Sequence, residues 1–143
     1  MKKTTNFMFV LLALTLLMFC FSSLNSFVSA QTKQEYLELR VYHLSWGSGQ
    51  EGKVDAFLKD VYLPALHRAD ITKVGVFKPI ETDVLAGNRI FVLIPVKTVE
   101  QYLMLPEVLA RDKVYAEAGE TFIDAPYNEP PYARFESIVL KAF

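Results

Sequence analysis

Tyr36-Leu37-Glu38-Leu39-Arg40-Val41-Tyr42-His43-Leu44 is the stretch from which the fold is read. Leu37, Leu39 and Val41 alternate with Glu38, Arg40 and Tyr42, the period of a β-strand with two unlike faces. The apolar set is expected to meet the helices that cover the sheet, and the polar set to point away from them. Ser45-Trp46-Gly47-Ser48-Gly49 then reads as a loop, and Ser48-Gly49-Gln50-Glu51 as a capping box that opens a helix. Val54, Phe57, Leu58, Val61, Tyr62, Ala65 and Leu66 form one apolar stripe along that helix. Pro64 lacks an amide donor and crowds the carbonyl of Asp60, which predicts a kink or a short second helical piece.

Further on, residues 72–77 predict a second strand and residues 89–96 a third. Ile90-Phe91-Val92-Leu93-Ile94 is apolar on both faces and so belongs at the centre of a sheet. Gly87-Asn88 suits a tight reversal ahead of it. Thr98-Val99-Glu100-Gln101 opens another helix, which Pro106 is expected to break and restart. The restarted piece runs to about Ala118, with Gly119 as a left-handed stop. Residues 119–131, with Pro126, Pro130 and Pro131, predict a long surface loop, and residues 132–143 a last strand.

That order defines an α+β chain: the ferredoxin-like βαββαβ unit, a four-stranded antiparallel sheet with helices on one face. Strands 1 and 3 are expected at its centre, because each is joined through a right-handed crossover. The other face stays apolar and uncovered, which predicts a partner. Two such sheets face to face make a dimeric α/β barrel with a cavity between them.

The chain is 143 residues long, and its 52% hydrophobic content is inflated by the first thirty. Lys2 and Lys3 precede an apolar run over residues 7–21, and Val28-Ser29-Ala30 offers small residues to a signal peptidase. Residues 1–30 therefore read as a secretory signal peptide cleaved after Ala30, too short in its apolar part for the ~20 residues of a spanning helix. The mature domain, 31–143, is expected to be secreted or periplasmic, without stable membrane insertion. It keeps 13 basic and 16 acidic side chains, a net charge of −3, and no basic cluster, which argues against nucleic acid. Cys20, the only cysteine, lies in the leader, so the mature chain has no thiol nucleophile, disulfide or cysteine metal site.

The same segments resemble the NIPSNAP family of the dimeric α/β-barrel superfamily. The resemblance rests on Tyr36-Leu37-Glu38-Leu39-Arg40-Val41-Tyr42, Tyr62-Leu63-Pro64-Ala65-Leu66, Val74-Gly75-Val76-Phe77 and Leu109-Ala110-Arg111-Asp112, in order and at similar spacing. It covers essentially all of residues 36–143 and implies a ferredoxin-like unit paired into a barrel. It implies no catalytic signature. Exported relatives often carry two copies of the unit, so the expected partner is a second copy of this chain, or a second unit if this is a piece of a longer one.

His43 and His67 stand twenty-four positions apart and lack the convergent spacing of a metal site. His43 is expected to act structurally at the strand end, and His67 at the surface. Glu38, Arg40 and Tyr42 are the stronger candidates: a carboxylate, a guanidinium and a phenol on one strand face can orient a polar ligand. They are expected to line the cavity between the two sheets, with Trp46 as an aromatic lid or else an exposed interface tryptophan, and Phe77 on the same uncovered face. The alternative is a Glu–Arg ion pair and a stacking tyrosine at the subunit interface. No nucleophile elbow, phosphate loop or dinucleotide signature is present, and the residues imply no cofactor. Two readings follow: an exported dimeric module that binds a small ligand or protein partner, or a small oxygenase, cofactor-free or haem-linked, by analogy of fold alone.

Overall fold

The structure, a computed structural model, describes residues 36–142. The leader expected at 1–30 and the cleavage site expected after Ala30 fall outside the described residues. Eight-residue strand β1 (Tyr36–His43) is followed by helix α1 (Gln50–Phe57), a π-helical turn (Leu58–Tyr62) and α2 (Leu63–Arg68). Then come β2 (Gly75–Phe77), β3 (Arg89–Val96), α3 (Val99–Arg111), α4 (Lys113–Ile123) and β4 (Arg134–Lys141). The sheet order is β2-β3-β1-β4 and every pairing is antiparallel. This is the ferredoxin-like arrangement with β1 and β3 central, as the element order predicts.

Register decides which side chains meet. Glu38 stands opposite Ile94 and Val139, Arg40 opposite Val92 and Ser137, and Tyr42 opposite Ile90 and Phe135. Ile90, Val92, Ile94 and Val96 are buried against Val54, Phe57, Tyr62, Leu66, Leu105 and Leu109 of the helices. Glu38, Arg40 and Tyr42 therefore lie on the helix-covered face, the reverse of the placement read from the strand. Leu37, Leu39, Phe91, Leu93, Ile138 and Leu140 share the opposite face with Phe77. Alternation settles which residues share a face; with apolar groups on both sides, hydrophobicity alone does not choose the inner one.

The local chemistry explains the other departures. Gly49, with φ at 72°, is the N-cap of α1 and makes no side-chain bond. Ser48 Oγ accepts from the Gln50 amide instead, while Gln50 Oε1 accepts from Ser45 N and Glu51 pairs with Lys78. Pro64 does interrupt the helix: the turn before it widens to a π-turn, the Leu63 amide donating to Leu58 O, before the α-helix resumes. Widening the ladder accommodates a ring that has no amide to donate. Pro106, by contrast, sits inside an unbroken α3. The break falls at Asp112, whose side chain accepts from the Tyr115 amide and caps α4 while pairing with Arg68. Strand β2 is only three residues long, because the amide of Ile71 still bonds Leu66 O and the chain pairs with β3 only from Gly75.

Gly119 is no stop signal. It is buried inside α4, where a Cβ would lie 3.3 Å from Val61 Cγ1 and 2.8 Å from Ile123 Cδ1. The missing side chain lets α4 approach the π-turn closely. Gly119→Ala should stay within ~1 kcal/mol of the parent, since better helix propensity offsets a slight crowding. Gly119→Val pushes two more carbons at Val61 and should cost ~1–3 kcal/mol, read as a lower denaturant midpoint at unchanged slope. A valine variant as stable as the parent would show that the two elements are not in close approach.

Candidate functional site

A charged pair lies under the helices. Glu38 is 1% exposed and its Oε1 accepts from Arg40 Nε at 2.6 Å and from Ser137 Oγ at 2.7 Å. Tyr102 Oη stands 3.2 Å from the same Ser137 hydroxyl, so β1, β4 and α3 are tied through one carboxylate oxygen. Residues 38 and 40 are neighbours on one face of a strand, which lets the short carboxylate reach the near edge of the longer side chain. Glu38 Oε2 and the Tyr62 hydroxyl are buried without a hydrogen-bond partner among the described residues. Two orphaned polar atoms at one site are uncommon in a folded core and point to a place that takes more than packing.

The guanidinium is held by rings as well as by charge. Its Cζ lies 4.7 Å from the centroid of Tyr62 and 5.6 Å from that of Phe135. Contacts of this kind stabilise a cation by ~0.5–2 kcal/mol, more as water is excluded. Tyr42 packs on Tyr132 and Phe135 at 5.6 and 5.2 Å between centroids, and Phe57 stacks on Phe122. Burial works against the charge of Arg40, yet Tyr62 and Glu38 outweigh it and raise its pKa above the ordinary arginine value. Arg40 is thus a fixed cation, its side chain 15% exposed, and among the described residues only its Nε is committed to a hydrogen bond of good geometry.

Two cavities meet at this residue. One of about 390 Å³ runs between α3 and α4, lined by Arg40, Pro106, Leu109, Ala110, Tyr115, Ala116, Ile123 and Asp124. The other, a recess of about 210 Å³, is bounded by Arg40, Tyr42, Phe57, Tyr115, Phe122, Ile123, Tyr132 and Phe135. The structure therefore brings Glu38, Arg40 and Tyr42 together, but between the sheet and its own helices rather than between two sheets. Trp46 is 80% exposed in its loop and lines neither cavity, so it is no lid there. Phe77 lies on the outer face, 55% exposed, its ring folded back over Gly75. His43 is on that outer face too, with Nε2 2.6 Å from Glu136 Oε1, and His67 is exposed on α2. Among the described residues no group of three His, Cys, Asp or Glu could hold a metal ion.

Sequence reading missed the partners that make this a site. Tyr62 was one apolar stripe position among seven, and Tyr115, Phe122 and Tyr132 read as packing beside a proline-rich loop. Phe135 and Ser137 carried a usable signal: they alternate on the last strand, with the same parity that sets Tyr42 and Arg40 on the first.

The buried phenols give the site a pH signature. Burial pushes Tyr42 up from 10 to about 12 against the opposing pull of Arg40, and it raises Tyr62 as well. The folded chain then holds protons that the unfolded chain releases near its ordinary tyrosine value. Stability from this source is complete below pH ~10 and is lost as pH rises through about 12. Absorbance of tyrosinate and far-ultraviolet circular dichroism, followed together through this range, should show one class of phenols that ionises only as structure is lost. Free titration of all tyrosines near pH 10 in a folded protein would contradict the packing described.

No protein-family model matches this chain, and no curated protein matches it either.

Proposed function

We propose that the protein is a small-ligand binding module, with its site in the cleft between the sheet and the helix layer and Arg40 as the group that recognises an anion. One observation carries this reading: a largely buried cation, held through its Nε by Glu38, borders both cavities of that cleft. Anchoring matters because a guanidinium with its Nε edge fixed keeps its terminal donors aimed, and less rotamer freedom is lost when a ligand binds. A carboxylate matches that fork through two parallel bonds, which an ammonium does not reproduce. Glu38 shares the same cation, so the gain is that of one charge-assisted interaction, ~1.5–3 kcal/mol. The NIPSNAP resemblance and the leader at 1–30 extend the proposal to an exported member of that family.

Calorimetric titration of benzoate, hexanoate and succinate against their amides tests the site. At least one acid should bind tenfold or more tighter than its amide (~1.4 kcal/mol), and Arg40→Lys should lose ~1.5–3 kcal/mol of that affinity. Acids and amides that bind alike, or an unaffected lysine variant, would end this reading.

The second part of the proposal is a homodimer in which a second copy covers the outer face. Leu37, Leu39, Leu93, Ile138 and Leu140 make that face apolar, with Phe77 at its β2 edge, and an apolar sheet face of this kind is unusual on a lone subunit. Phe77→Asp would set an unpaired charge in the interface, at a cost of several kcal/mol. Sedimentation should then move from dimer to monomer or aggregate. A parent protein that stays monomeric at high micromolar concentration would remove the dimer, while the Arg40 site would stand.

A further inference from the structure

We infer that the anion held by Arg40 is a carboxylate on a single aromatic ring, and that Phe122 is the wall that limits its size. The inference rests on the reading of Arg40 given above and names the ligand class for that site. Of the two cavities at Arg40, the larger is lined chiefly by aliphatic side chains and carries Asp124, whose charge repels an anion. The 210 Å³ recess has no acidic residue, and apart from Ile123 and Arg40 itself its walls are aromatic rings.

Those rings are set at angles to one another. Tyr42 meets Tyr132 at 67° and Phe135 at 55°, so the rings bordering the recess are not parallel to one another. A flat aromatic guest gains offset-stacked and edge contacts from such walls, whereas a saturated ring of the same carbon count gains dispersion alone. Size is compatible with this: an apolar cavity of ~150 Å³ accommodates benzene, and about 210 Å³ is on the scale of one ring with one carboxylate.

The limit on size has an identifiable cause. Phe57 and Phe122 stack with centroids 3.9 Å apart and planes within 2° of parallel. The same two rings are the lining that this recess shares with a wider cavity of about 490 Å³ bordered by α1, the π-turn, α4 and the loop at Pro126. The stacked pair is thus the lining common to both spaces, and in this inference removal of the Phe122 ring joins the recess to the wider cavity.

Three acids separate the possibilities on the full chain: benzoate, cyclohexanecarboxylate and 2-naphthoate, titrated by calorimetry. Benzoate should bind about three- to tenfold tighter than cyclohexanecarboxylate, and 2-naphthoate weakest. Phe122→Ala should reverse the order of benzoate and 2-naphthoate. Phe122→Leu, which keeps bulk and loses the ring, should narrow the gap between benzoate and cyclohexanecarboxylate; it serves as the second test if the alanine variant fails to fold. Equal binding of benzoate and cyclohexanecarboxylate, or Arg40-dependent binding of hexanoate or succinate but none of these three, would overturn the aryl assignment and leave Arg40 as the anion site. No Arg40-dependent binding by any acid would overturn both.

Discussion

A charged pair on a central strand, buried under the helix layer, is the constraint around which this molecule is arranged. Taking Glu38 and Arg40 out of water costs several kcal/mol per ion, and their mutual attraction offsets this only with good geometry and further hydrogen bonds. The fold supplies both. Ser137 on β4 gives Glu38 a second donor, Tyr102 on α3 extends the chain of hydrogen bonds, and Tyr62 and Phe135 lay their rings against the guanidinium. Aliphatic packing would have left the cation bare. The aromatic content of this layer follows from the charge it encloses.

Backbone irregularities place those partners. The π-turn ahead of Pro64 ends at Tyr62, the residue whose ring lies against Arg40. A regular helix through the same residues would rotate that ring relative to the sheet, because a π-turn inserts one extra residue into the ladder. Gly119 brings α4 close to the same turn, and Tyr115 and Phe122 on that helix then close two sides of the recess. The proline and the glycine thus act together. One shifts the ring, the other brings up the wall.

The two faces of the sheet divide the work. The inner face carries charge, phenols and cavities; the outer face is apolar and holds His43 beside Glu136 at its rim. Under the proposed function the ligand lies on the inner face and the partner on the outer one, so binding and association are separable by single substitutions.

The element order, the central place of β1 and β3 and the membership of Glu38, Arg40 and Tyr42 on one strand face were all legible along the chain, because each rests on local periodicity and crossover handedness. So was the disturbance at Pro64, which follows from a missing amide. The direction of that face was not: a period of two fixes parity, and with Leu37, Leu39 and Val41 on one side and a third strand apolar on both, burial of carbon cannot break the tie. Nor could the chain announce that Pro106 is tolerated while Asp112 ends the helix, since that depends on Arg68 arriving from another element. Tertiary structure made the choice, because only there do Ser137, Tyr62 and Phe135 converge on the charges from sequence separations that no local pattern spans. Glu38 and Arg40 point inward because that is where their hydrogen-bond and ring partners are.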